Sequence, residues 1–482
     1  MTASLDVTLV SHATLKISGS FGTLVCDPWI LNEPVYNFST WKFPAAVIPP
    51  AEVVRNVDYL FVSHSHEDHF HIPSVDLFSR DLTVLLPEYE NHPGLRGYTV
   101  ERVFRLLGFH NIRKLRPWQT IKLGGVTSFT LIPSAATRSH DWENAGFIIE
   151  HPDCTLLNMN DNLTDEALCD EIALRFPRID IEFIQMGGVT MYPGCFRMAP
   201  EKMRSEAARR KVGYSDQRRA IERIRPARIA PFAADFGWLD DRYFHNNWAN
   251  RGTPELFERF VRSSFEDRDL ETIVLLPSDR WNMSTGITRQ HAAINWPNYL
   301  DEIAAVKRRF QPKLDALNAW LLDVDFGDLK GRSMVHCQRV QRWITRDYID
   351  FSARFRQVVE GPNSNFSFVL KADPASGFKI DWHDDAPVDQ TLYVAESTWA
   401  AVLEGKQTWN IIQWVAEAEQ TNYRPDMGRF WFWLEYHVDL NAKNVQAFLD
   451  PRLYPALKTL IRPQLGVFPM DGEWPKRSSR AA

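Results

Sequence analysis

Three imidazoles and two carboxylates fall within six residues, His64-Ser65-His66-Glu67-Asp68-His69, one residue after the apolar run Asp58-Tyr59-Leu60-Phe61-Val62. A run of strand length that stops at such a cluster reads as a buried strand delivering side chains at its C-terminal end. That edge is where α/β sheets place their chemistry. In an extended segment His64, His66 and Asp68 alternate onto one face, while His69 falls on the turn that follows. Imidazole nitrogens and carboxylate oxygens are metal donors. The spacing therefore predicts one ion on His64 and His66 and a second on Asp68 and His69, at the ~3.5–4 Å separation of two-metal sites. A solvated His-rich loop is the plainer alternative, disfavoured because the cluster arrives with its own strand.

The pattern His64-x-His66-x-Asp68-His69 after an apolar strand resembles the signature of the metallo-β-lactamase superfamily. That resemblance implies an αββα sandwich with a dinuclear metal site between its sheets. It says little about the reaction, since members hydrolyse lactams, lactones, thioesters and phosphodiesters, or carry iron and reduce oxygen. It also implies a second group of ligands after a later strand. Phe129-Thr130-Leu131-Ile132-Pro133 leads to His140, the candidate third ligand of the first metal, with Glu143 as runner-up; a carboxylate there would suit iron. The plainer alternative for His140 is an exposed loop residue. Cys154 to Asn160 ends at Asp161, which resembles the bridging aspartate of the superfamily. Its alternative role is an N-cap, although Thr164 could cap the helix that begins nearby. The last ligand is left open among the residues after Pro231–Phe236, with His245 and Asp240 as candidates.

The elements that must position these groups can be followed along the chain. Leu5 to Ile17 and Thr23 to Cys26 read as a hairpin turning near residues 18–22. Ser11-His12-Ala13-Thr14-Leu15 and Asp27-Pro28-Trp29 resemble the opening strands of the lactonase-like branch, which implies that His12 and Asp27 organise loops beneath the site; His12 is expected as a buried, hydrogen-bonded histidine. Residues 31–57 lack periodicity and read as a loop over the mouth of the site. Ile72-Pro73-Ser74-Val75 starts a helix with Pro in its first turn, Leu82 to Pro87 is a strand, and Tyr98 to Leu107 has helical spacing.

Further on, Phe183 to Pro193, Arg228 to Phe236, and Asn247 to Asn250 before Thr253-Pro254-Glu255-Leu256 resemble the metal domain of CMP-N-acetylneuraminate hydroxylases, over roughly residues 1–300. Those hydroxylases also carry a Rieske domain with Cys-x-His and Cys-x-x-His pairs. No such pair occurs in these 482 residues. Electrons would then come from a separate donor protein or from the substrate. The complete His64–His69 motif is a second departure, since that family's version is degenerate.

The chain carries 44% apolar residues and 17 Trp, ample for two cores. Domains are expected at 1–298 for metal binding and at 299–470 for a C-terminal α/β unit, with a flexible tail at 471–482. Within the second, Tyr299 to Leu322 and Arg332 to Phe355 read as helices. The run Val394 to Trp409 weakly resembles a sterol-carrier module, which implies an apolar pocket or cover for the site; a packing or dimerising role is the alternative. Trp409 to Glu417 reads as a helix and the aromatic run Phe430 to His437 as core or interface. Net charge is −6 without a long basic run, which gives no footing for nucleic acid. Basic residues between Arg204 and Arg219 are interleaved with acids and read as a solvated helix face. Five cysteines without a CxxC pair fit reduced thiols. No segment is apolar enough to span a membrane, and the expected location is the cytoplasm.

The expectation is thus a dinuclear enzyme with Asp161 and Asp68 at its catalytic heart. Two irons and an oxygenase acting on a small metabolite are favoured. The alternatives are a zinc or manganese hydrolase of lactonase or phosphodiesterase type, and a non-catalytic lipid or metabolite binder. A homo-oligomer is compatible with the sequence.

Overall fold

The computed structural model describes residues 4–420 apart from 37, 65, 89–99, 102, 106, 126, 135–143, 163–164, 187–191, 210–213, 234–235, 250–251, 344–350, 408 and 410–416. Two sheets face each other. The first runs in the order Gly286–Thr288, Arg280–Asn282, Asp6–Ser11, Thr14–Gly19, Gly22–Cys26, Tyr59–Phe61, Thr83–Pro87, Ile112–Leu115. The second runs Glu271–Thr272, Arg228–Phe232, Ile181–Gln185, Cys154–Asn158, Ala145–His151, Thr127–Pro133, Thr120–Leu123. Strand alternation sorts their side chains into layers. Leu9, Leu15, Phe61, Phe129, Phe147 and Phe183 meet between the sheets. There Phe61 lies 5.5 Å from Phe129 and 5.2 Å from Phe147, joining the two sheets through aromatic contact.

Helical layers cover the outer faces. Val75, Val103 and Phe104 pack on the first sheet. Leu168 and Ile172 of helix Glu166–Arg175, Ile221 of Ser215–Ile224 and Phe257 of Pro254–Ser264 pack on the second. This is the αββα sandwich of the metallo-β-lactamase fold. Gly22–Cys26, Tyr59–Phe61 and Thr83–Pro87 run parallel, as do Cys154–Asn158, Ile181–Gln185 and Arg228–Phe232. Parallel strands release their C-terminal ends on one edge of a sheet, which is where Asp27, His64 and Asp161 emerge.

Three local readings change. The first segment is a three-stranded meander with a reversal at His12-Ala13, because His12 takes a left-handed backbone (φ 45°) that alternation does not reveal. The second C-terminal helix is Leu329–Trp343. Ala353 to Phe355 belongs to strand Ala353–Glu360, whose strict burial alternation gives period two. Glu417 starts a strand, Glu417–Gln420; most of the helix read from Trp409, the aromatic run Phe430 to His437 and the tail lie outside the described residues.

The C-terminal unit is a sheet domain ordered Gly377–Asp381, Asn365–Asp373, Ala353–Glu360, Gln390–Ala395, Glu417–Gln420. Its interior is filled by Phe368, Trp399 and Trp409, the two indoles donating to Ser333 Oγ at 2.8 Å and Gln357 Oε1 at 2.9 Å. Arg197 of the metal domain reaches it, stacking 3.7 Å from Tyr393 and pairing with Glu417 and Glu360. The long helix Tyr299–Leu322 lies between the two units and packs on both. No described helix is long and apolar enough to cross a membrane.

Glu182 is an acid inside a buried strand. Its neighbours Ile181 and Phe183 face the other sheet, so Glu182 faces the helical layer, where neither carboxyl oxygen has a hydrogen-bond partner. Burial pushes its carboxyl up to about 8 from 4.5. The folded state therefore holds a proton that the unfolded chain loses above pH 4.5. Stability falls as pH rises through that window and levels off above the folded value. Glu182→Met removes this linkage. Its melting temperature is expected to exceed the wild type's by a margin that grows from pH 5 to pH 8; a margin independent of pH would contradict the assignment.

Candidate metal centre

The strand Tyr59–Phe61 ends before the motif, and a turn follows in which the His69 and Phe70 amides donate to His66 O. The donors therefore converge through a turn and not along one extended face. His64 Nε2 and His66 Nδ1 lie 2.8 Å apart, and Asp161 joins them. Asp68, His69 and His12 form a second group, all three buried. The two groups adjoin, since His69 Nε2 stands 3.4 Å from Asp161 Oδ2 and 3.6 Å from Asp68 Oδ2.

Asp27 and Ser63 explain the ring orientations. The Asp27 carboxylate accepts from the Ser63 amide at 2.7 Å and from the Ser63 hydroxyl at 2.8 Å, and its Oδ2 stands 3.1 Å from His69 Nδ1. A carboxylate accepts, so His69 carries its proton on Nδ1 and offers Nε2 to the site. Because the Ser63 hydroxyl is already donating, its oxygen accepts from His64 Nδ1 at 2.8 Å, which likewise frees His64 Nε2. Carboxylates and hydroxyls behind histidine ligands are the usual means of fixing tautomer and direction.

Electrostatics agree with a cation-binding centre. Burial, reinforced by His69 and His66, holds His64 well below its ordinary value, so its ring is neutral. Burial would lower His69 too, but Asp161 and then Asp68 outweigh it and raise His69 well above. Burial would raise Asp68, yet His69 and then His12 hold it far below the usual carboxylate range. The buried His69 Nε2 and Asp161 Oδ1 have no hydrogen-bond partner. Buried, orphaned metal-donor atoms on neighbouring side chains are what a bound cation satisfies.

Asp161 is placed by a left-handed Asn160 (φ 49°), whose amide donates to Asn158 Oδ1 and whose side chain donates to Ala145 O at 3.0 Å. The neighbouring helix is capped by Asp165, whose side chain accepts from the Leu168 amide, leaving Asp161 to the site. His12 Nε2 lies 2.9 Å from Asp68 Oδ2, the hydrogen-bonded histidine expected, although beside the donors themselves. His140 and Glu143 lie outside the described residues. Asp240 is held by Arg242 at 2.6 Å and Asn318 at 2.9 Å, and His245 Nε2 lies 2.8 Å from Gly194 O; neither joins a donor group among the described residues. Ser63 and Tyr36, whose hydroxyl donates to Asp68 Oδ1 at 2.6 Å, were not singled out from sequence. Ser63 adjoins the motif and could have been noticed there; Tyr36 sits in an aperiodic loop and gives no signal.

The sequence profile of the beta-lactamase superfamily domain matches residues 28–221, the span that holds the motif and Asp161. The match is confined to that span, which carries a beta-lactamase superfamily domain. A protein of Mycolicibacterium smegmatis, provisionally named a Rieske 2Fe-2S iron-sulfur protein, is 29% identical to this chain over 225 residues. The alignment covers 46% of this chain and 40% of that protein, so the match spans less than half the relative's length. Among solved structures, a protein of Veillonella parvula described as a candidate metal-dependent hydrolase is 14% identical, covering 58% of this chain and 99% of its own (TM-score 0.41). CmlA β-hydroxylase is 18% identical, covering 58% of this chain and 53% of its own (TM-score 0.39).

The orienting role of Asp27 has a direct test. Asp27→Asn is expected to weaken metal binding by about 10–100-fold with an unchanged far-UV circular dichroism spectrum. Unaltered affinity in that variant would show that His69 is oriented by other means.

Proposed function

We propose that this chain is a dinuclear metal enzyme, with one ion on His64, His66 and Asp161 and the other on Asp68, His69 and Asp161. The observation that carries this reading is the orphaned His69 Nε2, turned by Asp27 toward two carboxylates. His140, Glu143, Asp240 and His245 stay outside this assignment.

The finer reading is a di-iron oxygenase that hydroxylates a small metabolite with electrons from a separate protein. It is supported by the mixed imidazole and carboxylate donors, which iron accepts as zinc does, and by the provisional Rieske name of a relative that matches 46% of this chain. Inserting one atom of dioxygen into a C–H bond consumes two electrons and two protons and releases water. With no Rieske ligand pair in these residues, those electrons would come from a separate redox protein or from the substrate. Two irons would supply the oxygen chemistry; the protein supplies geometry and proton management. Asp161 suits the second task, since its side chain is 19% exposed although its Oδ1 is buried, which leaves part of the carboxyl group open to a substrate or solvent proton.

Protein purified without added metal is expected to contain about two irons per chain and to consume oxygen when given a chemical reductant. Zinc or manganese without oxygen uptake would overturn the oxygenase and assign the centre to hydrolysis. The variant Asp68→Ala with His69→Ala is expected to lose one ion and all turnover while keeping its fold; retained turnover would overturn both enzymatic readings.

A further inference from the structure

Asp68 is gripped at both oxygens. Tyr36 donates its hydroxyl to Oδ1 at 2.6 Å, and His12 Nε2 lies 2.9 Å from Oδ2. A carboxylate offers about four lone-pair positions. One contact on each oxygen fixes the carboxylate plane and leaves a lone pair of Oδ2 toward His69 Nε2, 3.6 Å away. The two partners come from far apart in the chain, His12 from the turn of the first meander and Tyr36 from the loop over the site.

The delivery of Tyr36 is not accidental packing. Tyr36 (φ 49°) and Phe38 (φ 71°) both take the left-handed backbone, which is strained for a side-chain-bearing residue and persists only where the surroundings impose it. Val35 and Thr40 exchange backbone hydrogen bonds at 2.8 and 3.2 Å, closing a tight loop around these residues, and Trp41–Lys42 then pairs with Phe236–Gly237. The Tyr36 ring stands 6.3 Å from His66 and 5.9 Å from Phe236.

Helix Tyr299–Leu322 holds this loop from outside. Phe310 packs 5.2 Å from Trp41, Trp320 meets Phe38 edge-on at 5.9 Å, and Lys313 Nζ donates to Asn32 O at 3.3 Å. Ile303 and Leu314 complete the apolar seam with Trp41 and Phe43.

We propose that Tyr36 is a positioning residue for the second metal position, acting through Asp68, and that helix Tyr299–Leu322 sets it in place. The proposal rests on Asp68 being a metal ligand. It gives the segment after residue 298 a function at the centre without contact to any donor. The hydroxyl fixes the direction of one ligand, and the helix fixes the hydroxyl.

The test is zinc(II) titration of the full chain after chelator dialysis, read by calorimetry and elemental analysis, with thermal melts of the metal-free proteins. Wild type is expected to bind two equivalents. Tyr36→Phe keeps the ring against His66 and Phe236 and removes only the hydroxyl. It is expected to bind one equivalent as wild type does and the other about 10–100-fold more weakly, with an unchanged melt. Phe310→Ala, which touches no donor, is expected to weaken the same equivalent by a smaller factor. Two wild-type equivalents in Tyr36→Phe, or an equal weakening of both, would overturn the positioning role. A weakened Tyr36→Phe beside an unaffected Phe310→Ala would overturn the part assigned to the helix. Fewer than two equivalents in the wild type would overturn the dinuclear reading itself, an outcome distinct from the others.

Discussion

A fully buried carboxylate, Asp27, sits behind the site and accepts from the Ser63 amide and hydroxyl while facing His69. Burial alone would push its proton affinity up, and raised it remains despite His69 and Ser63. Such a group is tolerated only when its lone pairs are occupied. The contacts that occupy them also fix two imidazoles. His69 is oriented directly and His64 through the Ser63 hydroxyl, so the direction of two donors in two groups depends on one side chain from an adjacent strand. The parallel pairing of Gly22–Cys26 with Tyr59–Phe61 is what brings Asp27 beside Ser63, with the Asp27 amide donating to Phe61 O at 2.9 Å.

Around this support lies a ring of left-handed residues that are not glycine: His12, Asp27, Tyr36, Asn160 and Ala233. The first four each carry or place a group at the centre. Strain of this kind concentrates where a fold trades local comfort for a fixed constellation. Here it is held by the inter-sheet core around Phe61, Phe129 and Phe147, which is rigid enough to absorb it.

The parts of this arrangement legible in sequence are those that follow periodicity. Buried strands such as Thr127–Pro133 and Cys154–Asn158 show themselves as apolar runs, and the cluster from His64 to His69 is visible because it interrupts one. The boundaries of Tyr299–Leu322 follow its amphipathic pattern. The reversal at His12 was not legible because it rests on a left-handed backbone that alternation does not reveal; the grip of Tyr36 on Asp68 and the bond from Asp27 to His69 were not, because each joins residues more than 30 positions apart through side-chain atoms. The partition of the motif also depended on the turn at His66 to His69, which sends Asp68 away from His64. Glu182 was hidden within an apolar strand, where alternation marks its face but not its lack of partners.

The central claim is that two ions sit between the sheets, sharing Asp161. Anomalous diffraction from crystals of the full chain grown with iron(II) under anaerobic conditions tests it most directly. Two iron peaks about 3.5–4 Å apart are expected, one against His64 and His66, the other against Asp68 and His69. A single peak at saturating iron, or peaks away from these side chains, would contradict it.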